Sequence, residues 1–307
     1  MKQLSTLCDD LGLETQSYDS GLLIEGDCCS LLGCMEQGSL HAIVTDPPYG
    51  IKEYDVDQLA KRSSGQGGIW RIPPNFDGSR RMPLPRFTAL TLADRMRIDE
   101  YFYYWGRLAL RVMRPGGHLI IACNSFLSQV VYTALVRAGF EYRGEFVRLV
   151  MTLRGGDRPK NSEKEYSDVC TLPRSAFEPW GSFRKPIPNG MKVSDCLARY
   201  GTGGLRRSVN GSQLRDVIPS ERTPKAERAI ADHPSLKPQS FMRTIVRAAL
   251  PLGTGVVLDP FMGAGSTVAA GIAVGYSVAG IERLSDYYGT AKTAVPKLAR
   301  LPVRLFE

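Results

Sequence analysis

The run Val256-Val257-Leu258-Asp259 leads into Pro260-Phe261-Met262-Gly263-Ala264-Gly265 and then into a helically spaced stretch, Ser266 to Val274. No other feature limits the architecture as much. A short β-branched apolar strand of this kind is buried on both faces, and the two glycines let the backbone turn sharply and approach a ligand with no Cβ in the way. A strand, a glycine turn and a helix in that order belong to a parallel sheet with helical crossovers. The next strand-like stretch, Tyr276 to Ile281, ends at Glu282, seventeen residues beyond Gly265.

The same alternation runs upstream. Leu22 to Glu25 and His41 to Thr45 read as strands, with helical spacing from Cys29 to Gln37 between them. Tyr101 to Met113 is amphipathic and stops at Arg114-Pro115-Gly116-Gly117, a helix end and turn. His118 to Cys123 is strand-like, Phe126 to Ala138 is helical with Gly139 as its C′ residue, and Glu141 to Leu153 holds one or two strands. Pro238 to Leu250 is helical. The pattern predicts an α/β fold: a Rossmann-like, mainly parallel sheet with helices on both faces. At 307 residues the chain suits one such domain of about 200 residues with grafted insertions.

Charge locates the insertions. Segment 51–98 carries nine Lys/Arg against five Asp/Glu, and segment 151–232 carries fifteen against ten. Their excesses of +4 and +5 exceed the net +8 of the whole chain, so the remaining residues sum to −1. A basic excess confined to Pro-, Gly- and Arg-rich segments predicts a polyanion-facing surface on a near-neutral core. Seven scattered cysteines with no CxxC pair, and no histidine at zinc-ligand spacing beside Cys28, Cys29 and Cys34, predict reduced thiols and no metal site. No apolar run reaches the roughly 18 residues of a membrane span, and Met1 to Asp10 lacks the order of a signal peptide. A cytoplasmic protein without a membrane partner is expected.

Two motifs carry chemistry. In the first, Val268 stands where a dinucleotide-binding turn would have its third glycine. This predicts a nucleoside cofactor without phosphates, its ribose hydroxyls bonded by the acidic residue that closes the following strand. The second is Thr45-Asp46-Pro47-Pro48-Tyr49-Gly50, at a strand end. An exocyclic amino group on adenine or cytosine is a poor nucleophile, because its lone pair is delocalised into the ring. The Asp46 carboxylate and the Pro47 carbonyl are each suited to accept one of its N–H bonds, which localises the lone pair. Pro48 fixes the backbone without adding a donor, and Tyr49 is suited to stack on a base rotated out of the duplex.

With these motifs, the chain resembles the β group of DNA adenine-N6/cytosine-N4 methyltransferases, in which the catalytic motif precedes the cofactor motif. Gly26-Asp27-Cys28, Met113 to Leu119 and His233-Pro234-Ser235-Leu236-Lys237-Pro238 are similar to further elements of that family, in its order. The resemblance implies a circularly permuted methyltransferase fold, with the catalytic domain in 20–150 and 233–300, a basic loop in 51–98 and a target-recognition region in 151–232. It implies S-adenosyl-L-methionine as cofactor, held by Asp27, Lys237, Asp259, Pro260, Phe261, Gly263, Gly265, Ser266, Thr267 and Glu282. The catalytic residues would be Asp46, Pro47, Pro48 and Tyr49.

Double-stranded DNA is the implied partner, contacted by Arg154, Arg158, Lys160, Arg184, Lys185, Arg206 and Arg207. Asp at the first catalytic position is the family's usual adenine-N6 choice and Ser its cytosine-N4 one, so N6 is expected, with N4 as the alternative. The resemblance leaves room for a homodimer and for a cognate restriction endonuclease, although no surface or segment of the sequence identifies either. Cytosine-C5 methylation is set aside because the chain has no Pro-Cys pair. A nicotinamide oxidoreductase would leave Asp46 to Tyr49 unexplained, and a non-catalytic DNA-binding protein would need neither motif intact.

Overall fold

The structure, a computed structural model, describes residues 1–48, 90–154, 162, 164–170, 173, 175–231, 233 and 236–305, with backbone alone for 151–154. Among these residues the strands are β1 (Thr15–Tyr18), β2 (Gly21–Glu25), β3 (Leu40–Thr45), β4 (Met113–Ala122), β5 (Glu141–Arg154), β6 (Ser175–Arg184), β7 (Val217–Ser220), β8 (Val256–Asp259) and β9 (Ser277–Glu282). They form one sheet in the order β1-β2-β9-β8-β3-β4-β6-β5-β7. β2, β9, β8, β3 and β4 are mutually parallel. β6 runs against them, and β5 and β7 return to their direction.

Alternate residues of the parallel strands enter two separate cores. Leu22, Ile24, Ile43, Leu119, Ile121, Leu258 and Ile281 face one side, with Leu31, Phe102, Trp105 and Leu135 from helices Cys28–Cys34, Leu92–Val112 and Ser128–Ala138. Leu23, Val44, Ile120, Val257 and Val278 face the other, with Phe241, Ile245, Val268 and Val295 from helices Gln239–Ala249, Ser266–Ala273 and Ser285–Ala299. Burial on both faces is why these strands read as unbroken apolar runs rather than alternating ones. No helix among the described residues is long and apolar enough to cross a membrane.

Two expected boundaries are corrected. The boundary at 150/151 falls inside β5, and 175–184, expected in an insertion, is β6, lying between β4 and β5 within the sheet. Trp180 and Phe183 on that strand are fully buried core residues. Residues 92–98, expected in the basic loop, form the first turns of helix Leu92–Val112. Thr91 and Asp94 close a capping box there: Thr91 Oγ1 accepts from Asp94 N (3.2 Å), while the Asp94 carboxylate accepts from Thr91 N (2.9 Å). The greater part of the expected basic loop, 51–89, lies outside the described residues.

His118, at the β4–β6 pairing, is 4% exposed; burial first, then the Arg184 and Arg143 charges, push it down to about 3. Unfolded, it takes up a proton below about pH 6.5, whereas the folded chain resists until about pH 3. Stability is therefore unaffected by this group above pH 6.5 and declines as pH falls below it, by about 2 kcal/mol at pH 5. Urea melts at pH 7.5 and pH 5 should show that loss in the wild type and a smaller one in His118→Gln.

Candidate active site

The carboxyl ends of β3, β8 and β9 lie side by side, and each delivers a carboxylate: Asp46 directly after β3, Asp259 closing β8 and Glu282 closing β9. Ligand sites of open α/β sheets form at this edge, because the crossovers leave a crevice there. Thr45 Oγ1 donates to Asp259 Oδ1 at 2.6 Å, across a chain separation of 214 residues. Phe261 N (3.1 Å) and the Thr267 hydroxyl also donate to this carboxylate. Burial pushes Asp259 up to about 6 against the opposing effect of these donors. Asp259 lines the cleft, but its hydrogen bonds join the strand before Asp46 to the glycine turn.

The turn after β8 is built by its glycines. Gly263 (φ +53°) and Gly265 (φ +86°) occupy the left-handed region, and a Cβ on Gly265 would overlap Val295 Cγ2. A Cβ on Gly263 would stand 3.2 Å from the His233 ring. Glu282 holds the turn from the neighbouring strand, its Oε2 accepting from Gly263 N at 2.8 Å and its Oε1 from Leu284 N at 2.9 Å. Pro260 is buried, and Phe261 is tilted against Trp105 with ring centroids 5.6 Å apart. Ser266 Oγ accepts from Lys237 N at 3.3 Å, and Gln239 Nε2 donates to Ser266 O at 2.9 Å. Asp27, one strand further out, is exposed and caps helix Cys28–Cys34 by accepting from Ser30 N at 2.9 Å.

Lys237 closes the cleft from the side of Asp46. Its Nζ bonds Asp46 Oδ2 and lies 3.3 Å from Glu178 Oε1. Arg148 Nη1 in turn donates to Glu178 Oε2 at 2.8 Å, and Arg148 is anchored on Ser220 Oγ (3.1 Å) and Glu221 O (2.8 Å). Side-chain exposure along the row Arg148, Glu178, Lys237, Asp46 is 2%, 17%, 10% and 22%. Burial alone would push Lys237 down, but the Asp46 and Glu178 carboxylates more than offset it and hold the ammonium above its usual range. Burial, and then the charge of Glu178, favour protonation of Asp46; Lys237 is the main opposing influence. Asp46, Lys237, His233, Phe261, Gly263 and Ser266 share one cleft.

Thus the expected residues Asp46, Lys237, Asp259, Phe261, Gly263, Ser266 and Thr267 do converge. Pro47 is buried and Pro48 exposed beside them, while Tyr49, Arg158 and Lys160 lie outside the described residues. The expected DNA contacts divide. Arg154 ends β5 on the same edge as Asp46, since β5 runs parallel to β4 in direction. Arg184 and Lys185 end the antiparallel β6 at the opposite edge, where Arg184 Nη2 meets Glu141 Oε2 (2.5 Å) and Lys185 Nζ donates to Met113 O (2.7 Å). Arg206 packs beside Gly253, ahead of β8, and donates to Tyr276 Oη (2.9 Å); Arg207 donates to Gly211 O (3.4 Å). These four are engaged with the protein itself, away from the edge that carries Asp46. Phe146 is a core residue and Tyr166 is exposed.

Thr45, Arg148, Glu178 and Gln239 were not singled out by sequence reasoning. For Thr45 the signal was its place before Asp46 at a strand end; for Arg148 and Glu178 there was none, because they sit on separate strands.

Known proteins give a consistent picture. A family profile described as DNA methylase, covering N6 and N4 enzymes, matches residues 40–293. The type II methyltransferase M.HindIII of Haemophilus influenzae is 24% identical over 281 residues, covering 84% of this chain and 89% of that protein. The type II methyltransferase M2.DpnII of Streptococcus pneumoniae is 24% identical over 273 residues, 88% of each chain. Among solved structures, the cytosine-N4-specific PvuII DNA methyltransferase aligns with a TM-score of 0.57 at 12% identity, covering 92% of both chains. The complex of M1.HpyAVI with S-adenosylmethionine aligns with a TM-score of 0.53 at 17% identity, covering 91% of this chain and 98% of that one. At such identities the structural likeness speaks for the fold.

Proposed function

The chain belongs to the N6/N4 DNA methylase family, and from that premise we propose that it methylates the exocyclic N6 of adenine in double-stranded DNA, on a base rotated out of the helix. The observation that carries the reading is the convergence of Asp46 and the Gly263–Gly265 turn on one cleft from strands bonded side by side.

The cleft suits S-adenosylmethionine. Among the described residues that line it, the carboxylates Asp46 and Asp259 outnumber the ammonium of Lys237, which is already paired with Asp46 and Glu178. Such a lining favours a cationic ligand over a pyrophosphate. Glu282 closes β9 and Asp27 follows the adjacent β2, where they would recognise a nucleoside's hydroxyls and ring. When bound, the cofactor supplies an electrophilic methyl group on a sulfonium.

The protein's own work is positional and electrostatic. The Asp46 carboxylate accepts one N–H of the target amine and the Pro47 carbonyl the other, which turns the lone pair toward the donor. Asp259, through Thr45, fixes the strand end that carries Asp46 relative to the turn. Tyr49 completes the reading as the stacking platform. After transfer the amine sheds a proton, for which the Asp46 carboxylate is the adjacent acceptor. Asp rather than Ser at position 46 supports adenine over the alternative, cytosine-N4. DNA would approach the edge where Arg154 ends β5, with Arg158 and Lys160 following in sequence.

Incubation with labelled S-adenosylmethionine and mixed genomic DNA should place label in DNA. Digestion to nucleosides should then return N6-methyladenine, and sequencing of the modified DNA would give the recognition site. N4-methylcytosine instead would move the target to cytosine, and no transfer at any salt concentration would refute the enzyme reading.

A further inference from the structure

The row Arg148–Glu178–Lys237–Asp46 alternates in charge, and its last link occupies one oxygen of the carboxylate assigned to the target amine. Asp46 Oδ2 accepts from the Lys237 ammonium, which occupies that oxygen and weakens the carboxylate as an acceptor for the target amine. The ammonium is largely buried, so it cannot simply leave Asp46; a buried cation without a counterion is strongly disfavoured. The structure supplies a second counterion: Glu178 Oε1 is 3.3 Å from the same Nζ. A displacement of a few tenths of an ångström would bring Lys237 into a full charge-assisted bond with Glu178.

We propose that Lys237 holds Asp46 as a stand-in for the target amine and passes to Glu178 when the base enters, so that Glu178 is a positioning residue for base capture. The proposal rests on the amino-methyltransferase reading. Arg148 completes the device. Its guanidinium fixes the other Glu178 oxygen at 2.8 Å and is itself bonded to Ser220 and Glu221, so Glu178 stays in place as Lys237 moves. The row also stays neutral throughout, two cations against two carboxylates, and no charge is created in the interior on base entry. Glu178 reaches this position because β6 is inserted between β4 and β5, with Arg148 and Glu178 facing each other as register partners.

The test uses the full chain and DNA carrying its methylated sequence, with a fluorescent analogue of the modified base at the target. Base rotation then appears as a fluorescence rise independent of methyl transfer. Glu178→Gln should cut the bound fraction of rotated base and kcat/KM for DNA by at least about tenfold, while cofactor affinity stays within about twofold. Glu178→Asp, which keeps the charge, should recover part of the signal. The decisive variant is Glu178→Gln with Lys237→Met, which removes the blocking ammonium: its fluorescence rise should exceed that of Glu178→Gln alone. A merely structural Glu178 would make the double variant no better than the single one, and that result overturns the proposal. A wild-type fluorescence rise in Glu178→Gln overturns it also. Should Glu178→Gln fail to fold, Arg148→Lys, which loosens Glu178, takes its place with the same comparison. No rise with the unsubstituted enzyme refutes the parent reading, and this one with it.

Discussion

Asp46→Ala should lower kcat for methyl transfer by at least about 10²–10³-fold, the range typical of removing one preorganised polar group that acts on the transition state. Two effects combine. The target amine loses the acceptor that localises its lone pair, and the cleft loses the carboxylate that faces Lys237 beside the nucleophile. Cofactor affinity should fall far less than kcat: one carboxylate leaves the lining, but the glycine turn is held by Asp259 and Glu282 and not by Asp46. Single-turnover kinetics beside equilibrium cofactor binding would separate the two quantities. Activity within tenfold of wild type would remove Asp46 from the chemistry.

Gly265→Ala should be the most damaging single-methyl change at the site. The residue has φ +86° and its Cβ would overlap Val295 on helix Ser285–Ala299. Left-handed backbone costs a non-glycine residue about 1–2 kcal/mol and overpacking a further 1–3. The sum, about 2–5 kcal/mol, is comparable with much of a domain's net stability of roughly 5–15 kcal/mol. Chemical denaturation should show the loss directly, and cofactor affinity should fall because the turn and Val295 must move apart. Gly275→Ala provides the control: its φ is +79°, but nothing lies within 4 Å of the added carbon, so it should show the backbone cost alone.

The parallel half of the sheet was legible in the sequence because its strands are buried on both faces and hence uniformly apolar: His41 to Thr45 and Val256 to Asp259 announce themselves. β6 did not. It carries Pro179, Gly181 and two charged residues, Glu178 and Arg184, and proline normally argues against an interior strand. Here Pro179 contributes its carbonyl, which accepts from Cys123 N at 2.8 Å. Charge counting misplaced Arg184 and Lys185 for a related reason. It treats each Arg or Lys as solvent-facing, whereas Arg184 is paired with Glu141 and Lys185 caps a backbone carbonyl. Lys237 was assigned to the cofactor through resemblance; its bonds to Asp46 and Glu178 depend on three separate segments meeting, which no local pattern encodes.

The hydrogen bond between Thr45 and Asp259 also has a meaning in time. A ribosome makes β8 more than two hundred residues after Asp46, and domains synthesised from the N-terminus fold as their partners emerge. Until then β3 has no β8 to pair with, the glycine turn does not exist, and Lys237 arrives only shortly before both. A chain terminated before β8 therefore carries Asp46 without the glycine turn beside it. Methylating capacity appears only once β8 and the glycine turn have been made, and products truncated before them are expected to transfer no methyl group.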